Sequence, residues 1–151
     1  MISTKKHIQQ LAALLLAKGI TDIVISPGSR SGPLVHTLAT NKEFNCRNIV
    51  DERSAGYFAI GLSESIQKPV ALVCSSGTST LNYAPAVAEA FYRNIPLVVL
   101  TADRPSYWVD QLENQTIRQN NIYRDFIKKE ITLPLNETEK DVWFAEREIN
   151  E

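Results

Sequence analysis

Residues 70–101, VALVCSSGTSTLNYAPAVAEAFYRNIPLVVLT, contain two short apolar runs separated by a segment with helical spacing. The runs at 70–74 and 96–101 are almost continuously apolar, as expected of strands that are buried on both faces of a parallel sheet. The segment 79–93 between them is long enough to be the crossover helix that two parallel strands require. This stretch therefore predicts a βαβ unit and, with it, an α/β fold.

The same alternation continues in both directions along the chain. We predict further strands at 22–26, 45–50 and 128–133, and helices at 32–40, 52–66 and 140–150. An amphipathic helix precedes them, with Ser3 or Thr4 as its cap and one apolar face made of Ile8, Leu11, Leu14 and Leu15. The pattern predicts a single domain over residues 1–151, a doubly wound and mostly parallel sheet with helices on both faces.

Composition and charge limit the classes of function. Lys+Arg number 16 and Asp+Glu 17, giving a net charge of -1, so no overall positive field attracts nucleic acid or anionic lipid. The N-terminus lacks a signal-peptide pattern and the chain lacks a long apolar run, which predicts a cytoplasmic protein without membrane association. Cys46 and Cys74 lie in apolar segments without metal-ligand spacing, so we expect buried, reduced thiols.

Four polar segments follow the predicted strands, at residues 26–32, 51–56, 75–79 and 101–104. In open parallel sheets, ligands bind at the carboxyl ends of the strands. The polar stretch at 104–121 is too long for an ordinary connection, and long loops in compact domains are usually functional or mobile. The sequence thus predicts one ligand site assembled from these loops.

Two of these segments have the composition of anion-binding turns. Ser29 and Arg30 lie in a Gly/Ser-rich turn before a helix, where unpaired N–H groups and the helix dipole favour an anion. Ser76, Gly77 and Thr78 form a similar turn, without the lysine of a Walker loop or the spacing of a dinucleotide fingerprint. Simpler interpretations stay open: a plain turn with a surface arginine for the first, and hydroxyl capping of a helix for the second.

The other two segments place charged side chains at strand ends. Glu52 opens a helix directly after a strand, where a partly dry site would suit proton exchange with a ring nitrogen. An acidic first turn that complements the helix dipole is the simpler interpretation. Small residues along 55–61 favour close approach by another helix or subunit. Arg104 follows the most hydrophobic strand, and together with Arg30 it suggests a dicarboxylate or another multiply anionic substrate.

Five segments taken together resemble one known family. SPGSRSGPL, DERSAGYFAIGLS, CSSGTSTLNYAPAVAEA, PLVVLTADRP and NQTIRQ occur in this order between residues 26 and 119. They are similar to the N-terminal pyrimidine-binding domain of the 2-succinyl-5-enolpyruvyl-6-hydroxy-3-cyclohexene-1-carboxylate synthases, the thiamine-diphosphate enzymes of menaquinone biosynthesis. DERSAGYFAIGL and SGTST are shared loosely with other thiamine-diphosphate enzymes, whereas SPGSR, TADRP and NQTIRQ are more specific to this family.

The resemblance implies roles for particular residues. Glu52 would hydrogen-bond N1′ of the cofactor's aminopyrimidine and so favour removal of the thiazolium C2 proton. The residues that would line the pyrimidine end of the cofactor, or a subunit contact, are Ser76, Gly77 and Thr78. The residues that would hold carboxylates or hydroxyls of the substrates are Ser29, Arg30, Arg104 and Gln115.

The resemblance also implies a reaction, and it implies that different domains hold different parts of the cofactor. In the family, 2-oxoglutarate is decarboxylated and the resulting carbanion adds to isochorismate. Family members are longer, and they hold Mg2+ and the diphosphate with a Gly-Asp-Gly…Asn segment that has no counterpart in this sequence. We therefore expect an excised domain without metal ligands of its own and inactive alone. The parent enzyme would be a homodimer or homotetramer, with an apolar dimer face that includes the helix at 55–61.

Three other functions are compatible with the residues alone. One is the pyrimidine domain of another thiamine-diphosphate enzyme, such as an acetolactate synthase or a decarboxylase, although the paired arginines argue against a monocarboxylate substrate. A sugar-phosphate-binding module would use SSGTST as its phosphate loop. A regulatory or structural remnant would bind no ligand.

Overall fold

The computed structural model describes residues 4–135 and 138–150. The strands are β1 (Asp22–Ile25), β2 (Asn45–Asn48), β3 (Val70–Cys74) and β4 (Leu97–Thr101). The helices are α1 (Lys6–Ala17), α2 (Gly32–Thr40), α3 (Glu52–Ile66), α4 (Thr78–Tyr92) and α5 (Glu139–Asn150). In the described part of the chain, no helix combines the length and the apolar character needed to cross a membrane.

All four strands are parallel and form one sheet in the order β2-β1-β3-β4. β1 lies at the centre, where Ile23, Val24 and Ile25 pair with Ala71, Leu72 and Val73 of β3. The chain moves outward from β1 to β2 and then returns across β1 to β3, so the topological switch point lies between β1 and β3. The predicted α/β class with a doubly wound parallel sheet is confirmed.

The side chains of β1 alternate between two hydrophobic cores, as the period of a strand requires. Val24 packs with Leu72 of β3 in the core that α3 and α4 cover. Ile23 and Ile25 face the opposite core, which α1 and α2 cover. Burial on both faces explains why these strands are continuously apolar in the sequence, and each fully buried aliphatic side chain contributes about 1.5–3 kcal/mol.

The small residues of α3 serve a contact within the chain. A Cβ atom placed on Gly56 would lie 2.6 Å from the Cβ of Ala86, so α3 and α4 approach each other closely at this point. Ala55 and Ala59 on the same side of α3 are fully buried. The predicted close approach by another helix is therefore made by α4. The predicted contact with a second subunit stays a prediction, and the exposed Tyr57 and Phe58 of α3 are available for it.

Two local predictions were wrong. Residues 128–133 form no strand, because their polar side chains serve loop contacts instead: Glu130 accepts a hydrogen bond from the Asn121 backbone N–H at 2.8 Å, and Thr132 lies 3.3 Å from Asn120 Oδ1. Helix α1 has Lys5 at its N-cap, with no side-chain capping bond. Thr4 lies one residue too early to cap it, and Ser3 is outside the described residues.

The two cysteines differ in environment, which gives a prediction about their reactivity. Cys74 is fully buried, whereas Cys46 is half-buried, so the expectation of buried thiols is confirmed only for Cys74. Burial, together with the smaller effect of the negative charge of Glu52, raises the pKa of Cys74 to about 12. At pH 8 only about one Cys74 in ten thousand is then a thiolate. Iodoacetamide should label Cys46 first in the native protein, as measured by mass spectrometry; equally fast labelling of Cys74 would contradict the structure.

Candidate active site at the carboxyl ends of the strands

The site lies at the switch point, where the turns after β1 and β3 are in direct contact. A Cβ atom on Gly28 would lie 2.4 Å from the Cβ of Ser75, so only glycine allows the first turn to approach the second this closely. Ser75 is buried, and its hydroxyl has no hydrogen-bond partner within residues 4–135 and 138–150. The structure therefore brings the two predicted anion-binding turns together.

A buried hydrogen-bond network fixes the ends of three strands beneath these turns. Ser26 donates to the carbonyl of Ile49 at 3.0 Å and so connects the end of β1 to the segment after β2. The Tyr83 hydroxyl of α4 lies 2.9 Å from the Val73 carbonyl and 3.2 Å from Ser26 Oγ. Burial keeps the pKa of Tyr83 above its usual value, so the phenol is a neutral structural group. The role of Tyr83 could not be predicted from the sequence, because a tyrosine within an apolar helix gives no signal of it.

Glu52 is the first residue of α3, and its carboxylate has no partner among the residues that the structure describes. Its neighbour Asp51 caps the helix, accepting from the Ser54 backbone N–H at 2.7 Å, and this bond lowers the pKa of Asp51. Glu52 is therefore not needed as a cap. Its side chain is partly exposed and forms no hydrogen bond or ion pair with the described residues. Its negative charge raises the pKa values of Cys74 and Tyr83, so the carboxylate lies near the end of β3.

Residues of the long loop form hydrogen bonds with the turn after β3. Gly77 has φ +74° and ψ −137°, a conformation that favours glycine, and its N–H donates to Gln119 Oε1 at 2.7 Å. Ser76 Oγ donates to the Gln115 carbonyl at 2.8 Å. Among the described residues no side chain caps α4, so the capping interpretation of this turn was wrong. A phosphate loop needs free N–H groups, and the one at Gly77 is occupied, which argues against the sugar-phosphate module.

Gln119 connects the turns after β3 and β4. Besides accepting from Gly77, its amide donates to the Ala102 carbonyl at 3.0 Å, and the side chain is buried. A buried amide that uses both of its ends fixes the spacing of the two turns. The NQTIRQ segment was recognised in the sequence, but no role could be assigned to its last residue, because its partners lie 17 and 42 positions away.

Arg30 and Arg104 converge on one carboxylate, that of Glu113. Arg104 Nη2 lies 2.6 Å from Glu113 Oε1, and Arg30 Nη2 lies 4.0 Å from the same oxygen. Arg30 also donates to Gln115 Oε1 at 2.9 Å and to the Asn114 carbonyl at 2.5 Å. We call Arg30, Arg104, Glu113 and Gln115 the arginine cluster. The two arginines that sequence reasoning paired are thus brought together in space.

Of the remaining predicted site residues, Ser29 and Thr78 occupy more peripheral positions, whereas Gln115 does not. Ser29 is exposed, and its hydroxyl forms no hydrogen bond with the described residues. Thr78, at the start of α4, is also exposed. Gln115 is bound at both ends of its amide, because it accepts from Arg30 and donates to the Ser76 carbonyl at 3.1 Å. Within the described residues, no hydrogen bond or ion pair joins Glu52 to the arginine cluster.

The long loop that carries Glu113 and Gln115 is anchored at its far end. The Tyr123 hydroxyl donates to the Thr80 carbonyl of α4, and the tyrosine is buried in the core under α3 and α4. Burial raises the pKa of Tyr123 above its usual value, so this anchor is neutral. In residues 4–135 and 138–150, no group of three or more His, Cys, Asp or Glu side chains is arranged to hold a metal ion.

Comparison with known proteins identifies a family for this chain. Residues 5–124 match the model described as "Thiamine pyrophosphate enzyme, N-terminal TPP binding domain". A 2-succinyl-5-enolpyruvyl-6-hydroxy-3-cyclohexene-1-carboxylate synthase of Bacteroides thetaiotaomicron is 53% identical over 151 residues, which are 100% of this chain and 27% of that protein. The enzyme of the same name from Porphyromonas gingivalis is 51% identical over 150 residues, 99% of this chain and 26% of that protein. The chain thus spans about a quarter of these curated relatives.

Solved structures agree with the observed fold. A thiamine diphosphate-dependent 4-hydroxybenzoylformate decarboxylase of Rhodococcus jostii RHA1 superposes with a TM-score of 0.79, covering 97% of this chain and 26% of that one at 19% identity. A benzoylformate decarboxylase from Polynucleobacter necessarius gives a TM-score of 0.72, covering 83% of this chain and 23% of that one at 22% identity. At these identities the likeness establishes the fold alone.

Proposed function

This chain belongs to the thiamine pyrophosphate enzymes, as their N-terminal TPP-binding domain, and from that premise we propose that it is one domain of a carboligase. The full-length enzyme decarboxylates 2-oxoglutarate and adds the resulting carbanion to isochorismate, a reaction of menaquinone biosynthesis. The observation that carries the proposal is the convergence of Arg30 and Arg104 on the Glu113 carboxylate. Two forked cations at one place suit an acid substrate, because guanidinium groups bind carboxylates with geometric specificity.

Glu52 is the residue that we assign to the cofactor. Bound thiamine diphosphate supplies the electron sink that stabilises the carbanion left by decarboxylation. The Glu52 carboxylate fits this cofactor because it has no hydrogen-bond or ion-pair partner among the described residues and lies near the end of β3. It is therefore free to share a proton with N1′ of the aminopyrimidine, and general acid–base catalysis of this kind contributes about 10²–10⁴ in rate.

The turn after β3 has a supporting role in this proposal. Ser76, Gly77 and Thr78 lie beside the pyrimidine, and Gln115 and Gln119 hold the first two of them in place. The diphosphate and Mg2+ bind to parts of the enzyme outside this domain. The domain alone is then one wall of the site and has no activity of its own.

The arginine cluster and the neighbouring Ser29 hold the substrate acids. Arg30 and Arg104 bind a carboxylate, Gln115 orients Arg30, and the exposed Ser29 reaches a hydroxyl or a second carboxylate oxygen. The enzyme is a cytoplasmic homodimer or homotetramer. A second subunit covers exposed apolar side chains of α3, Tyr57 and Phe58, since apolar groups of this size gain stability when buried.

The substrate pair is tested by assaying the full-length enzyme with thiamine diphosphate and Mg2+. We expect release of CO2 from 2-oxoglutarate together with consumption of isochorismate. With pyruvate in place of 2-oxoglutarate, kcat/KM should fall by at least about a hundredfold, because polar groups that hold the missing carboxylate would be left unpaired. Efficient turnover of pyruvate without isochorismate would overturn the proposal in favour of an acetolactate synthase or a decarboxylase.

A further inference from the structure

Glu113 occupies the position in the arginine cluster that an anionic ligand would take. Its Oε1 accepts from Arg104 Nη2 at 2.6 Å and lies 4.0 Å from Arg30 Nη2. The Arg30 side chain is only 14% exposed, whereas those of Arg104 and Glu113 are about one third exposed. A carboxylate of the chain itself thus neutralises one of two convergent cations at a place open to solvent.

Arg30 and Arg104 each have a hydrogen-bond donor that these contacts do not use. The Nε atoms of Arg30 and Arg104 are buried and have no hydrogen-bond partner in the part of the chain that the structure describes. Buried donors in native proteins are almost always satisfied, and leaving one unpaired is costly. Two positive charges face one negative charge here, so the cluster keeps both unused donors and a net positive charge for another anion.

The backbone on the N-terminal side of Glu113 is held weakly. Leu112 and Gln115 adopt left-handed conformations, with φ of 58° and 55°, which non-glycine residues rarely do. The Leu112 side chain is fully exposed, so no core packing fixes this part of the loop. Arg104 and Arg30 therefore hold the Glu113 side chain, whereas Gln115 is also bound to Ser76 by two hydrogen bonds. The Glu113 carboxylate can leave the arginines while Gln115 stays in place.

We propose that Glu113 is an internal competitor for the substrate carboxylate and thereby sets the affinity and specificity of the site. The incoming acid displaces the Glu113 carboxylate from Arg104 and Arg30 and also engages their unused Nε donors. A monocarboxylate gains too little to replace an existing ion pair, whereas an acid that uses both guanidinium forks gains enough. This inference rests on the proposed function, since it requires the two arginines to bind substrate.

The test is a binding titration with Glu113→Gln in the full-length enzyme. The enzyme is prepared without thiamine diphosphate, so that neither acid is turned over, and isochorismate and 2-oxoglutarate are titrated separately by calorimetry. For the acid that uses the cluster, the Kd should fall about tenfold, because the displaced group is now neutral and a charged hydrogen bond no longer has to be broken. In the loaded enzyme, KM for that acid should fall in parallel.

A matched control comes from the same loop. Asp110 pairs with the exposed Arg118 at 2.7 Å, away from the cluster, so Asp110→Asn removes the same charge without touching Arg30 or Arg104. Its Kd values should equal those of the unmodified enzyme. If Asp110→Asn tightened binding as much as Glu113→Gln, the effect would be general charge repulsion and the inference would be wrong.

Arg104→Gln separates this inference from the proposed function. If Arg104→Gln weakens one acid while Glu113→Gln leaves it unchanged or weakens it as well, Glu113 only orients Arg104, and the competition is overturned while the substrate assignment stands. If Arg104→Gln changes the Kd of neither acid, the arginine pair does not bind substrate and the proposed function fails.

Discussion

Replacing Glu52 with glutamine should lower kcat of the full-length enzyme by roughly a hundred- to ten-thousandfold, the usual contribution of general acid–base catalysis. An amide has nearly the shape of the carboxylate but cannot exchange a proton with a ring nitrogen. The helix itself should be unaffected, because Asp51 supplies the N-terminal cap of α3. The measurement is steady-state turnover of 2-oxoglutarate and isochorismate at saturating thiamine diphosphate, together with thermal unfolding.

Glu64→Gln is the control for this experiment. Glu64 lies on the same helix and pairs with Arg93 on the surface, and exposed pairs of this kind contribute only about 0–1 kcal/mol. Its kcat should match that of the unmodified enzyme. If Glu52→Gln lowered kcat by less than about tenfold with the fold intact, the assignment of Glu52 to the cofactor would be untenable.

Replacing Gly77 with alanine should disrupt both the turn after β3 and the arginine cluster. The Gly77 backbone has positive φ, and an added Cβ would lie 2.8 Å from the Gln115 carbonyl oxygen. Either the turn or the Gln115 segment must move, and Gln115 is bonded to Arg30. Because a displacement of about 1 Å in a positioned group can reduce the rate a hundredfold, kcat/KM should fall by about that factor. The strained conformation alone should reduce stability by about 1–3 kcal/mol.

Gly61→Ala provides the comparison for the stability measurement. Gly61 lies in α3, with nothing within 4 Å of the position that a Cβ would occupy. Alanine should raise helix stability there by about 0.5–1 kcal/mol. Denaturant unfolding of both variants tests the contrast, and a Gly77→Ala protein as stable and active as its parent would show that the turn does not need glycine.

Most of the secondary structure could be predicted because it depends on local periodicity. Helices at 32–40 and 52–66 and the strand at 70–74 have the predicted bounds. The other elements that form differ by one or two residues at one end, except α4, which is shifted by one residue at both ends. The error at 128–133 has a different origin. An apolar alternation becomes a strand only when a neighbouring strand accepts its hydrogen bonds, and in the described part of the chain these residues contact the loop at 120–121 instead.

The candidate site was predictable only in part. Glu52, Arg30 and Arg104 were selected because strand ends share one edge of a parallel sheet, and the structure places Arg30 and Arg104 around one carboxylate. The roles of Gln119 and Tyr83 could not be predicted, because no sequence pattern indicates that an amide or a phenol will be buried and hydrogen-bonded. The contact of Glu113 with the two arginines could not be predicted either, because Glu113 is one of several charged residues in a polar loop.

The sequence by itself determined the α/β class, the family and the positions of the chemical groups along the chain. These features follow from short-range periodicity and from motifs read residue by residue. Only the tertiary structure decided which groups meet: Arg30 and Gln115 are 85 positions apart, and Gly77 and Gln119 are 42 apart. The path of a long loop is set by a few hydrogen bonds and ion pairs between distant residues, and no local pattern encodes such contacts. The carboxylate between the two arginines is visible only once the chain has folded.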